Sequence, residues 1–454
     1  MERTRVCRCR KRFFRFVARS FSSDRTLQAR RPPPDMVELF VCGRLCLLGE
    51  HSDWAGAHRH PEAVSPSGKC LVVGTSTSQG LHARVFMDRG SPNTFTMTST
   101  DDTGVSRTKS FPLDDPEFLQ AEAKAGGFWS HVAGTLFTLL FSEEHVIDDG
   151  KTISQQIQAA MTKISSGIHL HNYKTTLPIK KGLSSSAAVC VLVARAFSEA
   201  FGLHLDPLTE AKIAYSGERE TPSKCGRMDQ AGCAFGPGKL VVLSFTGEEV
   251  HVEPILDVGH NLYLVVADLN ASKDTVGILS DLQSAFRSEL EVSTGVDLDL
   301  KVADKKDTLL HLLGNLNHDL IANAVRAIAS GDVSKLGEVF ETAQSWFDNI
   351  AGAASPTRLG VSGSPVLHAT RRNTALQPHI VAGKGVGSQG DGSVQFLCET
   401  KENANSVLQV LAKQCNMRDA FVLEVPATSS KENEKMKSQE TTRDSAEAPC
   451  NNIA

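Results

Sequence analysis

Three stretches of the chain combine residue types that ordinary packing does not require. The first is Gly43-Arg44-Leu45-Cys46-Leu47-Leu48-Gly49-Glu50-His51-Ser52-Asp53, an apolar, β-prone segment that runs directly into Glu50, His51 and Asp53. Two carboxylates and an imidazole at a strand end, with Arg44 close in sequence, suit a polyhydroxy ligand, because carboxylates accept paired hydrogen bonds from hydroxyl groups. A charged turn after an edge strand is the plainer alternative. The second stretch, Leu177-Pro178-Ile179-Lys180-Lys181-Gly182-Leu183-Ser184-Ser185-Ser186-Ala187-Ala188, leads into a small-residue, apolar helix. Gly182 allows close backbone approach, and the unpaired N–H groups of a first helical turn form an anion site that three hydroxyls extend toward phosphate and Mg2+. Simple helix capping by serine is the alternative. The third, Gly383 to Gly392, places five glycines in ten residues, so its backbone approaches either a ligand or another loop closely.

Each stretch also excludes something. A serine nucleophile elbow needs glycine at 186, where Ser186 stands, and a phosphate-binding Walker loop needs Gly-Lys followed by Ser or Thr. Gly385, Gly387 and Gly390 satisfy the spacing of a dinucleotide fingerprint, but a strand pattern follows them where that motif requires a helix.

The elements that must position these residues are readable in outline. An extended pattern covers Val37 to Leu48 and recurs at Lys69 to Gly74, His82 to Met87 and Thr94 to Thr98. Helical periodicity is expected at Gly127 to Phe141, Ser154 to Ser165 and, most clearly, Ser184 to Phe201, stopping at Gly202. Further on, Asn261 to Leu269 reads as a strand, with helices through Thr275 to Leu290, Lys306 to Ala329 and Ser334 to Ile350. A closing strand, helix and strand at Val394 to Cys398, Asn403 to Gln414 and Ala420 to Val425 fit helices on one face of an antiparallel sheet, hence an α+β class. Ala351 to Thr374, rich in Ser, Pro and Arg, reads as a surface loop, and the polar tail from 427 to 454 as disordered.

Charge and composition narrow the function. Residues 1–34 hold ten Arg and one Lys against two acidic residues, so a chain of net charge −4 carries −13 beyond them. An acidic body argues against nucleic-acid binding. No apolar run approaches the roughly 18 residues of a membrane span, so no membrane partner is expected. The 11 cysteines form no C-x-x-C pair, which disfavours a disulfide framework or structural zinc and makes a reducing, cytoplasmic setting the default. The basic extension, residues 1–35, fits either an organellar transit peptide, which would mean a mitochondrion or plastid, or a disordered lead before a start near Met36.

In this order the three stretches resemble the motifs of the GHMP kinase superfamily, named for galactokinase, homoserine kinase, mevalonate kinase and phosphomevalonate kinase. A fourth match sharpens the resemblance: Glu218 lies eleven residues before Asp229, within a Cys225-Gly226-Arg227-Met228-Asp229-Gln230 segment similar to the galactokinase form of the catalytic-aspartate motif. The resemblance implies a two-domain α+β kinase fold, with a ribosomal S5 domain 2-like N-terminal domain at 36–250 and a ferredoxin-like C-terminal domain at 255–426. It implies ATP and Mg2+ as cofactors, and a small-molecule sugar or sugar acid as acceptor. By the same resemblance, Asp229 orients or deprotonates the attacking hydroxyl and Arg44 supplies the cation beside it. Gly182, Leu183, Ser184, Ser185, Ser186 and Ala187 would bind the nucleotide phosphates, and Ser185 or Ser186 would hold Mg2+ with Glu218. Glu50, His51, Asp53, Gly385 and Gly387 would bind the acceptor. The chain departs from the pattern at Ala57, where galactokinases usually carry a second glycine, and at Lys180-Lys181, where small residues are usual. A mevalonate-type isoprenoid kinase and a non-enzymatic ATP and sugar sensor are the competing readings.

Overall fold

The computed structural model describes residues 36–57, 68–146, 150–162, 166–177, 182–223, 225–247, 249–294, 308–417 and 419–428. The basic extension, Lys180-Lys181 and the expected tail beyond 428 lie outside these residues. The described chain is α+β, with three sheets.

The extended pattern from Val37 is two strands rather than one. β1 (Val37–Cys42) and β2 (Arg44–Leu48) enter different sheets, and the break falls at Gly43. A Cβ on Gly43 would meet the Leu177 side chain at 2.5 Å and the Leu183 carbonyl at 2.6 Å, so only glycine lets the chain turn there. β3 (Gly68–Gly74), β4 (Gly80–Asp88), β5 (Thr94–Thr100), β6 (Ser106–Pro112) and β7 (Gly167–Thr175) follow. The five-stranded sheet has the order β1-β4-β7-β5-β6, and its β5–β7 pairing is parallel. β8 (Leu240–Thr246) and β9 (Glu249–Pro254) complete a second sheet, β2-β3-β8-β9, whose register sets Arg44 opposite Gly74.

The third sheet, β11-β12-β10-β13, comprises β10 (Leu262–Asp268), β11 (Ala382–Gly385), β12 (Ser393–Cys398) and β13 (Ala420–Val425). All its pairings are antiparallel. The glycine-rich stretch is thus a hairpin: its first glycines are strand, and residues 386–392 form the connection.

The helix at Ser185–Phe201 ends at Gly202 as expected, with Gly202 in the left-handed region at φ 63°. It is buried along most of its length; Val191, Leu192, Val193 and Phe197 are all 0% exposed. Each such side chain contributes roughly 1.5–3 kcal/mol by leaving water, which fixes the helix start firmly behind the serines. Two short helices that periodicity did not reveal carry the remaining motif residues. Pro207–Arg219, capped by Asp206 through the Leu208 and Thr209 N–H groups, brings Glu218 in on its last turn, and Met228–Ala234 carries Asp229 on its first.

The reading of Ala351 to Thr374 as an irregular loop is corrected. The segment continues the Val333–Ala354 helix and then forms two short helices, Gly360–Gly363 and Pro365–Arg371. Its Arg358 donates to Asp274 Oδ2 and to Asp281 Oδ2, each at 2.9 Å, so the segment braces the start of the Thr275–Thr294 helix.

Candidate active site

Arg44 is the first residue of β2 and only 4% exposed. Its stem lies over Gly232, where an added Cβ would sit 2.7 Å from the Arg44 Cβ. Nε donates to Asp229 Oδ1 at 2.9 Å and Nη2 donates to the same oxygen, while Nη1 donates to the Gly182 carbonyl at 2.8 Å. The Arg44 backbone N–H adds a bond to the Leu183 carbonyl at 3.2 Å. One buried cation therefore ties the glycine-serine loop to Asp229. Burial alone would lower its pKa, but the adjacent Asp229 carboxylate more than offsets this and holds the guanidinium above its ordinary value.

Ser184 precedes the helix in the left-handed conformation, φ 62°, and makes no side-chain capping bond; its Oγ is buried without a hydrogen-bond partner. Capping thus does not account for this hydroxyl. Gly182, Ser184, Ser185, Ser186 and Glu218 share one cavity wall with Arg44 and Asp229. Leu183 and Ala187 do not line it: their side chains are buried in the core, which leaves them main-chain groups for any ligand. Glu218 is 3% exposed. It accepts from Gln230 Nε2 at 2.7 Å and from Ser223 Oγ at 3.3 Å, with His131 Nε2 3.7 Å away. Burial would raise its pKa, but hydrogen bonding and charge from His131, then bonds from Gln230 and Ser186, hold it below the ordinary carboxylate value. It is a carboxylate kept ionised in a buried place.

The first motif divides in two. His51 and Asp53 line the same cavity, whereas Glu50 does not. Glu50 had been expected to bind hydroxyls; its carboxylate instead pairs with the ammonium of Lys384, a residue 1% exposed in β11 that needs a counter-ion where it is. Asp53 Oδ2 accepts from the Met228 N–H at 3.4 Å, directly over Gly226. Burial first, and the Asp229 charge second, push Asp53 up to about 6. His51 adopts φ 71°, accepts from the Trp54 indole N–H at its Nδ1 at 3.0 Å and stacks on Phe347. Burial pushes it down to about 4, against a backbone hydrogen bond at Ser388 that acts the other way, so it is neutral at pH 7, with Nε2 carrying the proton.

The glycine hairpin contributes unevenly. Gly387, at φ 62°, lines the cavity, and a Cβ on it would lie 3.9 Å from Gly182 Cα, so the two glycine loops approach each other. Gly385 faces away from the cavity: its N–H donates to Gln344 Oε1 at 2.8 Å and its carbonyl accepts from Lys384 and Gln395.

The cavity encloses about 1100 Å³. Besides the polar groups above, its wall includes Leu81, Met97, Phe128, Trp129 and Val189. Apolar surface beside a helix start, an ionised buried carboxylate and an Arg–Asp pair is an arrangement for holding a polyanion with an apolar attachment. Residues 151–237 match the family model for the GHMP kinases N terminal domain. Over these residues the chain is similar to the GHMP kinases.

Its likeness to galactokinases is spread along the sequence. The chain is 22% identical over 317 residues to the galactokinase of Ligilactobacillus salivarius, covering 66% of this chain and 72% of that protein. It is 30% identical over 177 residues to the galactokinase of Thermotoga maritima, covering 36% and 49%. Two solved GHMP kinase structures share its fold. Galactokinase from Lactococcus lactis complexed with galactose aligns at 17% identity and TM-score 0.57, over 88% of this chain and 95% of the other. L. major mevalonate kinase with R-mevalonate aligns at 14% identity and TM-score 0.55, over 87% and 97%.

Two cavity residues, His131 and Lys273, lie outside the sequence motifs. His131 and Gln230 hold Glu218, and Lys273 enters the wall from the loop after β10. Lys273 lies in the polar Asp268 to Thr275 run. His131 acts through a contact across helices that no local spacing records, whereas Gln230 belongs to the Cys225 to Gln230 segment.

Proposed function

We propose that this chain is a GHMP-family kinase that transfers the γ-phosphate of ATP to a hydroxyl of a monosaccharide or sugar acid, the anomeric one, in a cleft between residues 36–250 and 255–426. The observation that carries the reading is the grip of Arg44 on both Asp229 and the Gly182 carbonyl, which brings the Asp229 carboxylate and the start of the Ser185–Phe201 helix to one cavity. The nucleotide phosphates would lie against the N–H groups at the start of the Ser185–Phe201 helix, with the Ser184 hydroxyl as an additional donor.

In the transfer step, the acceptor hydroxyl oxygen forms a bond to the γ-phosphorus while the bond from phosphorus to the β–γ bridging oxygen breaks, releasing ADP. The hydroxyl proton passes to an Asp229 carboxylate oxygen. Arg44 orients the Asp229 carboxylate and offsets charge on the moving phosphoryl group, whose transition state is loose and charge-dispersed. Asp53 accepts a hydrogen bond from an acceptor hydroxyl, and the His51 Nε2–H donates to one. Glu50 has a positioning role through Lys384.

Ser186 and Glu218 fit Mg2+. They offer hard oxygen donors, and Glu218 is held anionic despite burial, as a divalent cation requires. When bound, the ion neutralises charge on the β and γ phosphates.

The test is ADP release over a panel of hexoses, pentoses, uronic acids and mevalonate. Turnover on at least one sugar or sugar acid is expected. Turnover on mevalonate alone would replace the acceptor class, and ATP binding without ADP release on any acceptor would end the kinase reading.

A further inference from the structure

Lys273 lies in the loop between β10 and the Thr275–Thr294 helix, with its ammonium in the wall of the cavity. Its stem runs over Gly392, where an added Cβ would sit 2.4 Å from Lys273 Cδ, so the glycine makes room for it. Nζ donates to the Val386 carbonyl at 3.3 Å. Among the described residues no carboxylate forms an ion pair with it.

The carboxylates sharing this wall are held elsewhere. Asp229 is taken by Arg44. Asp274, next in sequence, turns to Arg358 at 2.9 Å and to the Gly277 N–H at 2.8 Å. Glu218 is held by Gln230 and Ser223. Asp53 accepts from the Met228 N–H, and Asp268 accepts from the Asn270 N–H at 3.2 Å. Glu50, the carboxylate whose charge bears favourably on Lys273, is bound to Lys384. Pair by pair, Arg44 with Asp229 and Lys384 with Glu50 are balanced, and Lys273 is left as a cation facing a ligand space.

Its loop is braced on both sides. The Leu269 N–H donates to the Gly392 carbonyl at 3.1 Å, the Asn270 side chain donates to the Asn416 carbonyl at 3.0 Å, and Arg358 holds Asp274 and Asp281. A flexible surface lysine would be solvated and would need no anion; one fixed against a glycine and a carbonyl in a cavity wall is placed to receive one.

We infer that Lys273 receives an anionic substituent of the acceptor, so that the preferred acceptor is a sugar acid rather than the matching neutral sugar. The acceptor side is favoured over the phosphates because the start of the Ser185–Phe201 helix already has Arg44 and its own N–H groups beside it, whereas His51 and Asp53, on the same wall as Lys273, offer an acceptor no fixed positive charge. Burial, with Arg44 second, pushes Lys273 down to about 8, so most of the population is still charged at pH 7 and an arriving carboxylate would reinforce that charge. This inference rests on the sugar-kinase reading above and sharpens its substrate class.

The experiment compares wild type with Lys273→Met and Lys273→Arg, using a hexuronate and the neutral hexose of the same stereochemistry. Binding is read by calorimetry in the presence of a non-hydrolysable ATP analogue, and turnover by ADP release. Wild type should bind the hexuronate at least about tenfold more tightly, the worth of one charge-assisted hydrogen bond. Lys273→Met should erase that preference by raising KM for the acid alone, and Lys273→Arg should restore part of it. Unchanged analogue affinity in Lys273→Met shows that the fold is intact. An equal loss of kcat on both sugars would assign the cation to the transferred phosphoryl group and overturn the inference, as would an unaltered preference. Binding of the hexuronate without turnover would leave this inference standing while the transfer reading fails.

Discussion

Glu50 and Lys384, 334 residues apart in the chain, meet in a buried ion pair at 5% and 1% side-chain exposure. The pair joins the end of the first motif to β11, and beside it Gln395 Nε2 donates to the Cys46 carbonyl at 2.8 Å. Removing one member leaves an uncompensated buried charge, so Glu50→Gln or Lys384→Met should cost about 3–5 kcal/mol each. The double variant should recover much of that loss. Urea unfolding of the four proteins forms the cycle, and additive single losses would show that the pair is not coupled.

Gly226 is required by its neighbour rather than by its own backbone. A Cβ there would lie 1.9 Å from Asp53 Oδ2, so Gly226→Ala must push Asp53 off the Met228 N–H. A displacement of that size should lower kcat/KM by about a hundredfold while the protein stays folded. Gly90→Ala is the control, since Gly90 does not line the cavity and a Cβ there would meet only the Asp88 carboxylate, at 3.3 Å. Comparable kinetics in the two variants would contradict the packing argument.

Asp229→Asn keeps the shape of the side chain and removes its capacity to take a proton. Transfer should fall by about 10²–10⁴-fold, the usual worth of a positioned base. ATP binding should change by no more than about threefold, because an amide still accepts from Arg44 and the Arg44 bond to the Gly182 carbonyl is kept. Single-turnover kinetics with a separate nucleotide titration distinguish these effects; wild-type turnover would show that Asp229 is not the base.

Asp53 and His51 pull the pH dependence of stability in opposite directions. Asp53, raised from 3.8 to about 6, makes the folded state bind more protons than the unfolded in that window, so its contribution falls as pH rises. His51, lowered from 6.5 to about 4, makes the unfolded state bind more protons, so its contribution grows as pH rises through that range. In wild type the two largely cancel between pH 4 and 6. Relative to wild type, Asp53→Asn should therefore gain stability with rising pH, and His51→Asn should lose it, each on the order of 3 kcal/mol across the window. Urea midpoints at stepped pH read both slopes, and parallel curves for all three proteins would refute the assignment.

The site was legible in sequence where chemistry is compressed into a few neighbouring residues. Arg44, His51, Asp53 and Ser184 to Ser186 stand out by their types in neighbouring positions, Asp229 is reached through the family resemblance, and the structure brings them into one cavity. Local spacing could not show which way a side chain turns. Glu50 looked like its neighbours His51 and Asp53, but its partner Lys384 comes from a strand near the other end of the chain. Elements were legible when periodicity ran long, as in Ser185–Phe201, and were missed when short or polar, as in Met228–Ala234, whose identity is set by packing rather than pattern. Ala351 to Thr374 misled for the same reason: Ser, Pro and Gly begin and end its two short helices, so its composition resembled a loop.

The double grip of Arg44 has an engineering corollary. Because one guanidinium clasps both the Gly182 carbonyl and Asp229, the loop and the base form a single mechanical part. Grafting a loop from another kinase to alter nucleotide preference would drag the base along with it. Retuning toward a new acceptor is better begun at residues outside that clasp, such as those on the loop after β10.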